Sequence, residues 1–306
     1  VKHHQHQSNY KVHLALFSVA CLYGANYNIA KLVTPEPIPP YSLVILRVCF
    51  ATILFWIAGI FVKDQPIPKK ELLPLLICSI FGTAGTQMMF LKGLSLTSPI
   101  NASVIMTLTP VMVLLISYFF LGEHLNRYKI MGILLGICGA FFLVGGQQFN
   151  FNGSNTIGDI IIFFNTSVFA TYLVLTKKFM LKYHPITIIK WMFLLGCPMV
   201  IPFGIKDLYE LSWHTLSIYT WLSILYVVIG ATFLVYLLNT LALSKVNASL
   251  VGFYIYLQPV IATCIAVFFL GEILTIDKIF YSLLIFAGVA LVSKKNKKAS
   301  LNKEIH

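Results

Sequence analysis

The sequence predicts an all-α integral membrane protein with ten transmembrane helices in two inverted five-helix repeats. Three observations carry this. The 306 residues are 58% hydrophobic and only 10% charged, with a mean hydropathy of +0.85, whereas soluble domains carry about 25% charged residues. Ten mostly apolar runs, each near the roughly 20 residues that cross a bilayer, use up almost the whole chain. The stretch FFLGEHL from Phe119 to Leu125 returns as FFLGEIL from Phe268 to Leu274.

The first run, 12–31, reads as a helix and not as a cleaved signal, because it is a full span long, carries Asn26 and Asn28, and lacks a small-residue cleavage pattern. Residues 1–11 before it are expected to be a cytoplasmic tail, where His3, His4 and His6 are solvated and not a metal site. The second run, 41–62, holds Arg47 about 9 Å from its start, at 1.5 Å per residue. That is close enough for the side chain to snorkel to the interface or to bond neighbouring helix carbonyls; the other reading is contact with an anionic substrate. Lys31, at the end of the first run, has the same two readings. The third run is 72–91, the fourth 97–121 and the fifth 128–146, closing a first unit at 12–146. Runs at 157–176, 187–205, 218–239, 247–270 and 278–293 make a second unit, 157–293, followed by a basic cytoplasmic tail at 294–306. Pro110 and Pro259 sit mid-span in runs four and nine, where each removes a backbone hydrogen bond and bends its helix. The bend is either structural only or a hinge for gating.

Sliding 93–144 onto 242–293 without a gap gives 17 identities in 52 positions. Upstream the match persists at an offset of 146, where Lys31 meets Lys177 and Pro39 meets Pro185. Five helices per unit is an odd number, so the second unit enters the membrane from the opposite side. Of the 22 Lys and Arg, 17 fall on the side of the termini and 4 opposite, with Arg47 inside a span. The positive-inside rule then places both termini in the cytoplasm. The net charge of +12 is thereby topogenic, and nucleic acid is not an expected partner. All six cysteines lie in spans, so no disulfide framework is implied.

The repeated Leu-Gly-Glu ends put Glu123 at the cytoplasmic face and Glu272 at the outer face. Glycine after a long apolar run stops a helix, and a carboxylate just beyond favours the next helix N-terminus. The competing reading makes each glutamate a gate at one mouth.

At this point the sequence resembles a family. The segments GLSLTSPINASVIMTLTPVMVLLISYFFLGEHLNRYKIMGILLGICGAFFLV and ALSKVNASLVGFYIYLQPVIATCIAVFFLGEILTIDKIFYSLLIFAGVALV look like EamA-type transporters of the drug/metabolite transporter superfamily. So do YGANYNIAKL in the first run, the turn Ile38 to Pro40 and the arginine of VILRVCF. Two departures stand out: Tyr23-Gly24 replaces the family's usual Trp-Gly, and Phe193 occupies the place aligned with Arg47. The resemblance implies export of amino acids or other small metabolites by alternating access, around a cavity formed chiefly by helices 1, 3, 4, 6, 8 and 9.

Buried polar groups in hydrocarbon need partners, so they face the bundle interior as packing glue or as a solute path. The repeat offsets pair them: Asn26 with Tyr172, Gln87 with Tyr236, Thr107 with Tyr256, and Thr109 with Gln258. Pairs whose members differ but still hydrogen-bond suit an asymmetric ligand site on a pseudo-two-fold axis, and Asn26, Gln87, Thr107, Tyr172, Tyr236, Tyr256 and Gln258 are the substrate-path candidates.

All ten Asp and Glu lie at helix ends, in loops or in tails, so coupling to protons has no support in the sequence. No Walker loop, HExxH or nucleophile elbow is present, and no catalytic residue, metal or cofactor is expected. The reading is an inner-membrane, multi-pass carrier, not an enzyme, for an amino acid or related amphipathic metabolite. Its expected partners are that small-molecule substrate and the lipid bilayer, and its expected working unit is a monomer. A nucleotide-sugar or sugar-phosphate carrier is the transporter alternative, for which more than one intramembrane cation is expected. A non-transporting membrane sensor or membrane-embedded enzyme is the alternative of another class.

Overall fold

A computed structural model describes residues 2–62, 65–121, 126–143, 153–180, 182–243, 254–255 and 257–293. Ten helical rods account for nearly all of them, with no strand among the described residues. Helix α1 is Lys2–Val33 and α2 is Pro40–Ile60. Helix α3 runs Lys69–Ser79, Ile80–Gly85 and Thr86–Leu96, its middle piece wound as a π-helix. Helix α4 is Pro99–Met106 and then Thr109–Leu121, and α5 is Arg127–Leu143. In the second half α6 is Ser154–Met180 and α7 is Pro185–Glu210. Helix α8 runs Ile218–Leu225, a π-helical Tyr226–Leu234 and Val235–Leu243. Helix α9 is Leu257–Leu270 and α10 is Ile276–Ser293.

Six stretches are long and apolar enough to cross a membrane: Pro40–Ile60, Lys69–Leu96, Pro99–Phe120, Ser154–Lys177, Pro185–Glu210 and Ile218–Asn239. The other four rods fall short for local reasons. His13, Asn26 and Asn28 dilute α1, while the 14 described residues of α9 reach only about 21 Å. Helix α5 has 17 residues, and α10 carries Asp277 and Lys278 in its first turn. One expectation changes: α1 starts at Lys2, so the predicted N-terminal tail continues the first helix. Extending a nucleated helix fixes one residue per added bond, and Lys, Gln and His tolerate it.

The rods pack in pairs that exchange under the repeat. Helices α2 and α7 are mates and lie against each other, as do α5 and α10; the α1–α9 pairing has its mate in α6–α4, and α3–α6 has its mate in α8–α1. The mates run antiparallel. Along α2 and α7, the Ser42 hydroxyl donates to the Gly204 carbonyl at 3.3 Å, Cys49 and Cys197 sulfurs are 3.3 Å apart, and Phe55 and Phe193 rings are 4.9 Å apart. In the α5–α10 crossing, Gly139 faces Tyr281 and Ile285, and its mate Gly288 faces Gly132 and Gly136. A Cβ on Gly288 would stand 2.6 Å from the Gly132 oxygen and the Gly136 nitrogen. Small residues here let two backbones touch.

The near end of the bundle, where α1 begins and α10 ends, also holds the loops on either side of α3 and α7. There Lys182 Nζ meets Glu71 Oε1 at 3.1 Å and the His184 amide donates to Gln65 Oε1 at 2.6 Å. The sequence expectation that the Lys70 and Lys182 loops share a face is thus reproduced as a contact. The duplicated phenylalanine pairs face outward, Phe119 and Phe120 exposed by 75% and 76% and Phe268 and Phe269 by 81% each, as suits a surface bathed in lipid.

Candidate functional site

Between the two halves lies a cavity of about 100 Å³, lined from α1, α2, α3, α4, α6 and α8 and from residues 254–258 leading into α9. It holds room for several waters, each needing roughly 10–15 Å³. The repeat offsets show why it sits where it does. Val19 and Asn165, Tyr23 and Phe169, Gln87 and Tyr236, Phe90 and Asn239, Met106 and Ile255, and Thr109 and Gln258 are all mates, and both members of every pair line it. A cavity bounded by mates lies on the pseudo-two-fold axis. One such pair touches directly, with Gln87 Nε2 donating to the Tyr236 hydroxyl at 3.4 Å.

Local chain chemistry positions the walls. The π-helical stretches in α3 and α8 occupy matching places in the two repeats, and each loosens the usual i→i−4 ladder just before a lining residue. In α3 the Thr86 hydroxyl takes the Phe81 carbonyl at 2.6 Å; in α8 the Thr232 hydroxyl takes the Val227 carbonyl at 2.8 Å. Helix α4 breaks at Thr107 and Leu108. Pro110 offers no N–H to Met106, and the Thr109 hydroxyl donates to that carbonyl at 2.7 Å instead.

Arg47 is buried, exposed by 3%, and does not snorkel. Its Nε donates to the Thr232 hydroxyl and its Nη2 donates to the Ala231 carbonyl at 3.1 Å, so the guanidinium is pinned to the π-helix of α8. Its Nη1 has no partner in the protein, and neither do Asn26 Oδ1, Asn165 Oδ1 and Asn239 Oδ1. All four residues line the cavity. Buried polar groups are almost always satisfied, so four unsatisfied atoms around one space mark it as made for a polar guest. Arg47 is the only formally charged residue among the described lining residues, which include no carboxylate.

Of the substrate-path candidates, Asn26, Gln87, Tyr236 and Gln258 line this cavity. Two do not. The Thr107 hydroxyl is spent on the Val104 carbonyl at 2.6 Å, inside the α4 break. The Tyr172 ring lies over Gly82, packed with Phe169 at 5.6 Å. Tyr256 and Glu123 lie outside the described residues. Lys31 stays off the cavity, donating to the Leu94 and Ser95 carbonyls at 3.1 and 2.9 Å, where a cation suits the C-terminal end of α3. Gly271, at φ +65, ends α9, and Glu272 beyond it meets Lys278 Nζ at 3.4 Å. The Lys278 amide is capped by the Thr275 hydroxyl at 3.4 Å, as the Lys129 amide is capped by Asn126 Oδ1 at 2.9 Å in the first repeat. Pro259 falls in the first turn of α9 as described, which tolerates it.

Asn165 and Asn239 were missed by sequence reasoning. Their mates are Val19 and Phe90, and a rule asking both members of a pair to hydrogen-bond discards them. Tyr23, at the place of the family's tryptophan, is the signal that helix 1 faces the site.

A profile of the EamA-like transporter family matches the chain twice, over residues 11–145 and 156–294. An uncharacterized transporter of Bacillus subtilis (strain 168), YyaM, is 24% identical over 287 residues, covering 92% of this chain and 93% of that one. An uncharacterized transporter of Archaeoglobus fulgidus is 26% identical over 291 residues, covering 94% and 99%. A solved crystal structure of 20% sequence identity shares the fold with a TM-score of 0.63 over 92% of this chain and 95% of that one.

Proposed function

The chain belongs to the EamA-like transporter family, and from that premise we propose a secondary carrier that exports, or eases the passage of, an amino acid or related small amphipathic metabolite. In this reading ten helices cross the inner membrane as two inverted repeats, both termini are cytoplasmic, and alternating access around the central cavity moves the solute without covalent chemistry. The antiparallel contact of mates α2 and α7 supports the inversion. The 17-to-4 bias of basic residues supports the orientation.

The single observation that carries the substrate reading is the set of unsatisfied atoms. Arg47 Nη1 offers a charged donor to a carboxylate, and the amide oxygens of Asn26, Asn165 and Asn239 offer acceptors to an ammonium. Tyr23, Tyr27, Phe90 and Phe169 supply aromatic walls for an apolar side chain. A phosphorylated sugar or nucleotide sugar suits this site less well. It would call for further cations, whereas Lys31 is committed to the end of α3, and the cavity is below the roughly 300–1,000 Å³ of pockets for larger ligands.

Purified protein in proteoliposomes, loaded with a panel of labelled amino acids, tests the reading. Flux above protein-free vesicles for at least one of them is expected. Flux of sugar phosphates alone sinks the substrate class while leaving the carrier, and absence of any flux with folded protein sinks both.

A further inference from the structure

Position 159 is the repeat mate of position 13, and the two sit at opposite ends of the bundle. At the far end, Asp159 of α6 is buried, accepting from the Thr97 hydroxyl and, at 2.9 Å, from Asn101 Nδ2. These bonds tie α6 to the turn between α3 and α4, where Gly158 is in backbone contact with Gly93, Leu96 and Thr97. At the near end, His13 of α1 is exposed and its Nδ1 lies 2.9 Å from the Tyr254 hydroxyl, just before α9. Because α1–α9 is the mate of α6–α4, each tie joins the same two helices of its own half-structure.

The cavity distinguishes the ends. Tyr254 lines it, as does Leu16 one turn from His13, whereas Asp159, Thr97 and Asn101 do not. The near-end tie therefore stands between the cavity and the surface, and the far-end tie lies behind a sealed layer in which Thr97 is exposed by 1% and Asp159 by 2%. We infer that these are the two latches of the carrier: Thr97–Asp159–Asn101 holds the far mouth shut, and His13–Tyr254 holds the near mouth when the far one opens. Only one latch needs to be broken at a time, since opening either end swings the half-structures about the same axis.

The inference rests on alternating access, and reciprocity tests it. Thr97→Val deletes one donor with little change of shape, and Tyr254→Phe deletes one hydroxyl; Asp159→Asn is a second far-end variant. Amide hydrogen exchange is measured by mass spectrometry on wild type and variants in lipid nanodiscs, since exchange reports local opening. Thr97→Val is expected to raise exchange at the far ends of α4 and α6 about two- to tenfold, the factor of one hydrogen bond, and to lower it at the near ends of α1 and α9. Tyr254→Phe is expected to do the reverse. A rise confined to the end that carries the substitution, in both variants, makes the ties local packing and overturns the inference. Proteoliposome flux of the labelled amino acids separates the two levels: reciprocity without flux keeps the latches and removes the substrate reading, and flux without reciprocity removes the latches alone.

Discussion

Arg47→Gln is the most informative perturbation of the cavity. The substitution removes the one formal charge among the described lining residues and leaves a shorter amide. Two consequences separate. The lost bonds to Ala231 and Thr232 are ties between α2 and α8, worth about 0.5–1.5 kcal/mol each, and their loss lowers the melting temperature. The lost contact from Nη1 to a substrate carboxylate is charge-assisted and worth about 1.5–3 kcal/mol, or roughly a 10- to 150-fold rise in apparent substrate constant at 1.4 kcal/mol per decade. Thr232→Val is the control, because it loosens the guanidinium without removing it and is expected to raise the substrate constant far less. Uptake of the best-transported labelled amino acid is measured per folded molecule, beside thermal unfolding in detergent. An Arg47→Gln protein with lowered stability and an unaltered substrate constant would show that the guanidinium is a helix tie only, and the zwitterion reading would lose its anchor.

Other expectations follow from the same geometry. Tyr236→Phe breaks the bond from Gln87 and keeps the ring, so it should raise the apparent substrate constant about two- to tenfold with near-normal yield; a lower melting temperature with normal affinity would instead mark the pair as packing glue. Reporters fused near Lys70 and Lys182 should both be cytoplasmic and those near Asn152 and Asp207 external, with a split between the first two refuting the inverted arrangement. Glu272→Gln should remain folded and transport near the wild-type rate, because only its pairing with half-exposed Lys278 is lost; a collapse of flux at unchanged stability would favour a gating role. Gly288→Leu should cut the folded yield sharply, overpacking costing about 1–3 kcal/mol or more, since its side chain would meet the α5 backbone.

How much of this was legible in the sequence depended on what leaves a mark there. Helices, repeat and spans show because a bilayer demands long apolar runs and a duplication preserves motifs such as Leu-Gly-Glu. Gln87 and Tyr236 were found because the offset pairs them, and the structure brings them into contact. Thr107 and Tyr172 were misplaced because pairing says nothing about rotation: one hydroxyl serves its own helix, and the other ring turns onto Gly82. The π-helical stretches at Ile80–Gly85 and Tyr226–Leu234 have no residue signature, so the pinning of Arg47 was invisible. Asp159 reads as an end-of-helix residue by position, yet it is buried because Gly158 beside it lets α6 press onto the turn after α3.

Arg47 and its mate Phe193 show what joining the two halves in one polypeptide allows. A homodimer of identical five-helix units would bring every cavity residue in twice. Two guanidiniums would then meet across the axis, or none. In the fused chain Phe193 instead packs its ring 5.4 Å from that of Tyr236, and the position that would have held a second cation is filled with an aromatic. A site built on two-fold symmetry can in this way present one end of a solute with charge and the other without, which no strictly symmetric pore can do.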